Sequence, residues 1–242
     1  MPRVPKWIGD AMESLMASKH LAVTVSSAVS LSKEMRMVSF TGDFTRTEFY
    51  PGNAVAFRVS DIDFRNYTLC SFDSVNGSTE ILFHLHGNGP GSSFAANLKP
   101  GDRLRMVSPR GHKMFNRSKT HHFFFGDETG LSFFSLLARE ITGSGQQYTG
   151  IIELNEENIG VTAQLGMTVH PVLKTTGNPG MNAVACLAQL KEHYPETFNQ
   201  GIFYLTGNVV SIQRFRAALK EYGVSPKNIK AQAYWAEDRV GL

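Results

Sequence analysis

His122-Phe123-Phe124-Phe125-Gly126-Asp127-Glu128-Thr129 is the stretch that decides the fold. An apolar run of strand length feeds a short acidic turn, and a helical pattern follows at once from Leu131 to Glu140. The same order recurs downstream. Tyr148 to Leu154, Met167 to Pro171 and Gly201 to Leu205 read as further short strands. Helical patterns at Met181 to His193 and Val210 to Tyr222 separate or follow them, and Ala231 to Trp235 closes the chain as a strand. Strand, turn and helix in alternation argue for a parallel sheet covered on both faces.

Upstream the pattern is different. Leu21 to Val29, Met35 to Phe40, Asn53 to Arg58, Tyr67 to Phe72, Thr79 to Leu85 and Asp102 to Val107 read as short strands. Between them stand Thr41-Gly42-Asp43, Pro51-Gly52, Asn76-Gly77 and Lys99-Pro100-Gly101-Asp102, all turn chemistry. Asn76-Gly77 between apolar runs is a hairpin signal. Strands and turns at such intervals predict a closed or nearly closed antiparallel β barrel, with one helix inside it at Ser92 to Leu98. The change of character near residue 117 predicts two domains. Residues 1–116 hold an N-terminal helix and the barrel; residues 117–242 hold a doubly wound, parallel-sheet α/β domain. A barrel followed by such a domain has one dominant use, in which the barrel holds a flavin and the second domain brings a nicotinamide nucleotide to it.

Composition sets outer limits. At 242 residues, with 42% hydrophobic and 19% charged positions, the chain is an ordinary soluble type and long enough for two cores. A net charge of +3 without any Lys/Arg block argues against a nucleic-acid partner. Cys70 and Cys186 lie far apart, which suits a reducing cytoplasm better than a disulfide framework. Met1 to His20 contains Asp10 and Glu13 and lacks the apolar core of a signal peptide. Its Ile8, Met12, Leu15 and Met16 fall at helical spacing, and no apolar run reaches the length that crosses a bilayer. A membrane partner is therefore not expected.

The chemistry concentrates at two places in the barrel. In Arg65-Asn66-Tyr67-Thr68, the Arg suits a phosphate through paired charge-assisted bonds, the Tyr a flat ring, and the Thr a polar edge. A flavin nucleotide presents all three. On a continuous strand Arg65 and Tyr67 share a face and Thr68 points away, so either the ligand wraps the strand end or the backbone bends. The alternative is an ordinary strand with a solvated Arg and a half-buried Tyr. Gly87 to Gly91, with Gly89 at its centre, leads to Ser92 and Ser93 at a helix start, where free N–H groups favour a pyrophosphate. A plain capped helix after a tight turn would look the same. His84 and His86 share a strand face, but no Cys or carboxylate lies near them in sequence, so no metal site is assigned.

Four segments resemble the siderophore-interacting protein family, flavin reductases within the wider ferredoxin-reductase superfamily. Met35 to Gly42 is similar to its first barrel strands, and Arg65 to Thr68 to its flavin motif. Phe83 to Ser92 resembles its phosphate loop, one residue shorter here. Gly126-Asp127-Glu128-Thr129 with Leu131, and the late Tyr234-Trp235, resemble the start of its nucleotide domain and its C-terminal end. The resemblance implies non-covalent FAD, NADH or NADPH as co-substrate, and a ferric chelate or siderophore as acceptor, reduced to Fe(II). It also implies a nucleotide contact for His86. Two departures weaken the siderophore part. Cys70 stands where the family usually has Arg, and Ala236, Glu237 and Asp238 precede Arg239 where basic residues usually follow the Tyr-Trp pair. Acids there repel an anionic chelate.

In the second domain Asp127 and Thr129 sit at a strand-to-helix turn of the kind that binds nucleotides, with Thr129 a donor to a pyrophosphate; a locally capped helix start is the alternative. Thr206-Gly207-Asn208 is a second such loop. Glu153, Glu156 and Glu157 after the Ile151-Ile152 strand suit a ribose diol and oppose a 2′-phosphate, against which Lys174 and Arg214 are the cations to be placed. Trp235 either covers the flavin or packs. Hydride transfer needs no protein acid or base, and no triad is found. Two other readings stand beside the NAD(P)H-dependent reductase: a flavoprotein drawing electrons from a ferredoxin-like protein, and a non-catalytic flavin-binding redox sensor.

Overall fold

The computed structural model describes residues 20–87 and 89–237, so the helix expected within Met1 to His20, together with Asp238 and Arg239, falls outside the described residues. The chain divides into two compact units, residues 1–114 and 115–242.

The first unit contains β1 (His20–Ser30), β2 (Met35–Gly42), β3 (Asn53–Arg58), β4 (Phe64–Tyr67), β5 (Ser71–Asp73), β6 (Ser78–His84), helix α1 (Pro90–Asn97) and β7 (Arg103–Gly111). Its strands form one antiparallel sheet in the order β4-β3-β7-β1-β2-β6-β5. The two outermost strands, β4 and β5, are neighbours in sequence, joined by Thr68, Leu69 and Cys70 alone. Laid flat, seven strands would hold them about 29 Å apart, since adjacent strands lie ~4.8 Å from one another. Four Cα-to-Cα steps reach at most about 14 Å. The sheet must roll until its edges approach, and that roll is the barrel.

The continuous strand expected over Tyr67 to Phe72 is therefore corrected. It is two strands on opposite edges, with Leu69 and Cys70 buried at the crossing and the Cys70 N–H reaching the Glu80 carbonyl at 2.7 Å. The expected hairpin at Asn76-Gly77 does join β5 to β6, held by Asp73, whose carboxylate accepts from the N–H groups of Val75 and Asn76. Helix α1 starts earlier than expected because Pro90 has the φ of a first helical residue. Arg36 of β2 closes its other end, donating to the carbonyls of Ala96 and Leu98, both at 2.7 Å.

The second unit contains β8 (His121–Asp127), α2 (Leu131–Gly143), β9 (Gln147–Leu154), α3 (Val161–Gln164), β10 (His170–Leu173), α4 (Met181–His193), α5 (Pro195–Gln200), β11 (Ile202–Asn208), α6 (Val209–Glu221) and β12 (Ile229–Trp235). All five strands are parallel, in the order β10-β9-β8-β11-β12. The strand expected from Met167 begins at His170 instead, because the Met167 N–H is used to close α3 on the Thr162 carbonyl.

The Phe123-Phe124-Phe125 run explains the layering. Successive side chains of a strand point to opposite faces. Phe124 stacks on Phe134 of α2 at 4.9 Å, while Phe123 and Phe125 enter the opposite core with Leu187 of α4, Phe198 of α5 and Phe215 of α6. From β8 the chain builds outward through β9 to β10, then returns to lay β11 on the other side of β8. The strand order thus reverses between β8 and β11, and the crevice at their carboxyl ends is where such sheets take ligands.

Phe125 and Phe215 stack face to face at 3.9 Å with neither exposed. Phe215→Ala is expected to cost about 3–5 kcal/mol, the usual range for an aromatic emptied from a core. Denaturant unfolding of the second unit measures it; a loss below about 1 kcal/mol would mean that this core collapses around the gap.

Candidate functional site

In the first unit the two motifs of the barrel meet. A Cβ added at Gly91 would lie 2.9 Å from the Tyr67 hydroxyl oxygen and 3.6 Å from Cγ of Arg65. The end of β4 and the first turn of α1 therefore press on each other, and a side chain at position 91 would push them apart. Tyr67 is braced from behind by Phe83, edge-on at 4.7 Å, and by Phe57 at 6.2 Å. Phe94 of α1 packs on Phe57 and Phe83, so one aromatic cluster fixes strand and helix together. Burial pushes the Tyr67 hydroxyl well above the ordinary phenol range, and Arg65 beside it acts in the opposite sense. It stays a neutral phenol at every physiological pH.

Arg65 is partly exposed. It donates to the Phe64 carbonyl at 2.9 Å and reaches Asp63 at 3.4 Å, which uses two of its five N–H groups. Thr68 lies half-buried one residue past the end of β4, where the chain begins its crossing to β5. At α1 the N-cap position is Gly89, which has no side chain to cap the helix. The Ser92 hydroxyl donates to the His86 carbonyl at 2.9 Å and ties the loop to the helix, whereas Ser93 is exposed. His86 is exposed on that loop, its ring 5.2 Å from that of His84. A helix start without an N-cap side chain, a partly free guanidinium and a neutral phenol converge at Gly91, where an added Cβ would crowd the Tyr67 hydroxyl. That donor set suits the phosphate and ring of a flavin nucleotide.

In the second unit Asp127 ends β8 at the reversal of strand order and is buried. Its Oδ1 accepts from the Thr129 N–H at 2.9 Å and from the Thr129 hydroxyl at 2.5 Å. Its Oδ2 accepts from the Asn208 N–H at 2.9 Å and from the Trp235 indole N–H at 2.7 Å. Gly207, at φ 108°, leaves room for this carboxylate; a Cβ there would lie 2.6 Å from Oδ2. Asn208 in turn caps α6, accepting from the N–H groups of Val210 and Ser211. Thr129 is thereby committed to a local cap, and Asp127 joins the ends of β8, β11 and β12.

A cavity of about 490 Å³ opens at this carboxyl edge. Asp127, Glu153, Glu156, Glu157, Lys174 and Trp235 are among its walls. Glu153 is buried at the end of β9, accepting from the Gly180 N–H at 2.9 Å at the start of α4, and it also bonds to the Ser211 side chain in the first turn of α6. It thus occupies the meeting point of two helix N-termini. The hydroxyl oxygens of Thr175, in the cavity wall, and of Thr206, at the reversal point, are buried without a hydrogen-bond partner. Unmet polar atoms beside a roomy crevice fit a polar, nucleotide-like occupant.

Residues 58–113 match the profile of the siderophore-interacting FAD-binding domain, and residues 119–238 match that of the siderophore-interacting protein. The chain belongs to the siderophore-interacting protein family. Its fold is shared with a siderophore-interacting protein of Acinetobacter baumannii at TM-score 0.74 and 19% identity, over 91% of this chain and 92% of that one. The T. fusca siderophore utilization protein superposes at TM-score 0.71 with 21% identity, over 93% and 95% of the two chains. Ferredoxin-NADP+ reductase from Plasmodium falciparum gives TM-score 0.72 with 14% identity, over 90% and 97%. In sequence, NADH-cytochrome b5 reductase 1 of Laccaria bicolor is 30% identical over 106 residues, which are 42% of this chain and 34% of that protein. The chain thus spans about a third of that curated relative. Family and fold support FAD as cofactor and a flavin-dependent reductase as the general activity.

Within this family member, Cys70 is buried at the β4–β5 crossing and forms no disulfide, and Glu237 lines the cavity of the second unit. Sequence reading missed the Glu128–Lys174 pair. Glu128 is fully buried, accepts from the Asn155 N–H at 2.6 Å and from the Asn158 amide at 3.1 Å, and is bonded by the Lys174 ammonium. Forty-six positions separate the partners, so local spacing carries no trace of the pair.

Desolvation holds the Glu153 carboxyl above its ordinary pKa, with Asp127 adding to the rise; the bonds from Ser211 and Gly180, and Lys174 nearby, oppose it. A raised native pKa means that the unfolded chain ionises first, so the stability associated with the neutral form is present at acid pH and is lost as pH rises through the native value. Glu153→Gln keeps an acceptor for Gly180 and removes the ionisation. The stability of Glu153→Gln relative to wild type is expected to climb as pH rises from the ordinary carboxylate range toward 8, read by denaturant melts. A difference that is flat with pH contradicts this.

Proposed function

We propose that this protein is an FAD-dependent NAD(P)H oxidoreductase that reduces a ferric chelate or ferric siderophore to Fe(II). The observation that carries the flavin half is the seating of Gly91 on Tyr67 and Arg65 at the uncapped start of α1. The crevice at the strand-order reversal, with its unmet Thr175 hydroxyl, supports a nicotinamide nucleotide in the second unit. When bound, the flavin supplies acceptance of two electrons as a hydride and their release one at a time, so one NAD(P)H reduces two ferric ions.

The chain's own residues bind and orient. Arg65 offers guanidinium N–H groups to phosphate, the α1 start offers backbone N–H groups, and Tyr67 offers a neutral ring and hydroxyl. Thr68 follows Tyr67 directly in the chain, and Ser92 fixes the loop that carries His86; Thr68 and His86 are both assigned to the same cradle in this reading. Asp127 and Glu153 hold the walls of the nucleotide crevice through backbone N–H groups, and Trp235 is held in that wall by Asp127. Nothing in this scheme asks a side chain to move a proton. The ferric acceptor rests on the family, with the Glu237 carboxylate as a local argument for an acceptor less anionic than the family's usual one.

The visible spectrum of the purified protein, before and after anaerobic NADH or NADPH, tests the reading. A flavin spectrum that bleaches, followed by Fe(II) formation with a ferric chelate, is the expected result. Protein that stays colourless with added FAD would overturn the flavin assignment, and a flavin bleached by neither nucleotide would favour a ferredoxin-like donor. Arg65→Ala is expected to weaken FAD binding at least about tenfold, as loss of a charge-assisted phosphate contact does, with little change in unfolding midpoint. Equal FAD affinity in the variant would place the phosphate elsewhere.

A further inference from the structure

The crevice of the second unit is electrostatically one-sided. Asp127, Glu153, Glu156, Glu157 and Glu237 all line it, and among its described lining residues Lys174 is the one cation. Lys174 does not bring an unopposed charge. Its ammonium is bonded to the fully buried Glu128 carboxylate, which backbone and amide donors from Asn155 and Asn158 hold in place. Arg214 donates one guanidinium N–H to the Pro179 carbonyl and is not among the described residues that line the crevice. Among the described residues, then, the one cation that lines the crevice is already neutralised by a buried carboxylate, and Arg214 stands outside the lining.

We propose that this crevice selects NADH over NADPH, taking an adenosine ribose with a free 2′-hydroxyl and rejecting a 2′-phosphate. The inference rests on the nucleotide reading given above. It does not depend on which way the nucleotide lies, because a 2′-phosphate placed anywhere in the crevice brings about two negative charges into a wall of carboxylates. A ribose diol has hydroxyl groups to donate, and carboxylates are the acceptors that recognise it. Thr175 is also in the crevice wall, and its hydroxyl oxygen is buried just behind that wall without a hydrogen-bond partner. Glu156 and Glu157 are exposed, so their share of the discrimination is screened by salt over a Debye length of ~10 Å at 0.1 M.

The experiment is a calorimetric titration of the whole purified protein with ADP-ribose and with 2′-phospho-ADP-ribose, neither of which exchanges electrons with a flavin. ADP-ribose is expected to bind at least about tenfold more tightly at low ionic strength, with the ratio shrinking as salt is raised. Glu156→Gln combined with Glu157→Gln, both at exposed positions, should reduce the ratio several-fold by improving the 2′-phosphate ligand. Thr175→Val should weaken ADP-ribose several-fold and so locate the ligand in this crevice. Equal or tighter binding of 2′-phospho-ADP-ribose overturns the selectivity while leaving the nucleotide site in place. Binding of neither ligand, or binding indifferent to Thr175→Val, removes the nucleotide from this crevice and the proposal with it. The flavin spectrum reports on the first unit independently of either result.

Discussion

Four donors converge on the carboxylate of Asp127, and the working edge of the second unit depends on that convergence. The N–H and hydroxyl of Thr129 come from the turn after β8, the Asn208 N–H from the end of β11, and the indole N–H of Trp235 from the end of β12. A buried carboxylate is costly unless its lone pairs are filled, and bonds to an ionised acceptor are about twice as strong as neutral ones. Here they are filled by groups that must themselves be paired, so one side chain settles the orphan donors of two loops and sets the distance between two strand ends. Gly207 is obligatory in the same arrangement, since its positive φ and missing Cβ leave the space that Asp127 occupies.

The device is repeated next door. Glu153 ends β9 directly beside Asp127 in the ladder and spans the starts of α4 and α6. Helix N-termini at the carboxyl edge of a parallel sheet are ordinarily available to anions from outside. In this protein an internal carboxylate has taken the place where those two helices meet, and Glu128 has taken the lysine. The fold's general capacity for anions is thus largely consumed by its own residues. What the crevice retains is a set of exposed carboxylates, Glu156, Glu157 and Glu237, whose oxygens are hydrogen-bond acceptors.

Much of this architecture is legible in the sequence, and the failures have physical causes. The triple phenylalanine of β8 reads as a doubly buried strand because both faces of a parallel sheet are apolar, and α4 has the bounds that its pattern predicts. Tyr67 to Phe72 misleads because an apolar run has the same composition whether it lies in one strand or crosses between two. Leu69 and Cys70 are as buried as strand residues, and the break at Thr68 is set by the curl of a sheet whose other strands lie far away in sequence. The Gly126 to Thr129 turn is recognisable locally, but its meaning is supplied by partners 81 and 108 positions downstream. Local spacing locates the edge of such a site and says little about which of its charges are already paired.

The barrel solves the opposite problem. Its cradle is made from few groups, and those groups are left partly unspent: a helix start without a side-chain cap, a guanidinium with N–H groups to spare, and a phenol held neutral by burial. Closure of the sheet makes this possible. Because β4 must end where the chain crosses to β5, Tyr67 lies at a free strand end rather than in the middle of a ladder, and α1 can approach it as far as Gly91 allows. A bulkier residue at 91 would relieve neither constraint, since the aromatic cluster of Phe57, Phe83 and Phe94 holds strand and helix from behind. One unit thus keeps some of its donors free, while the other spends its own on buried carboxylates. That contrast follows from where each sheet leaves its strand ends.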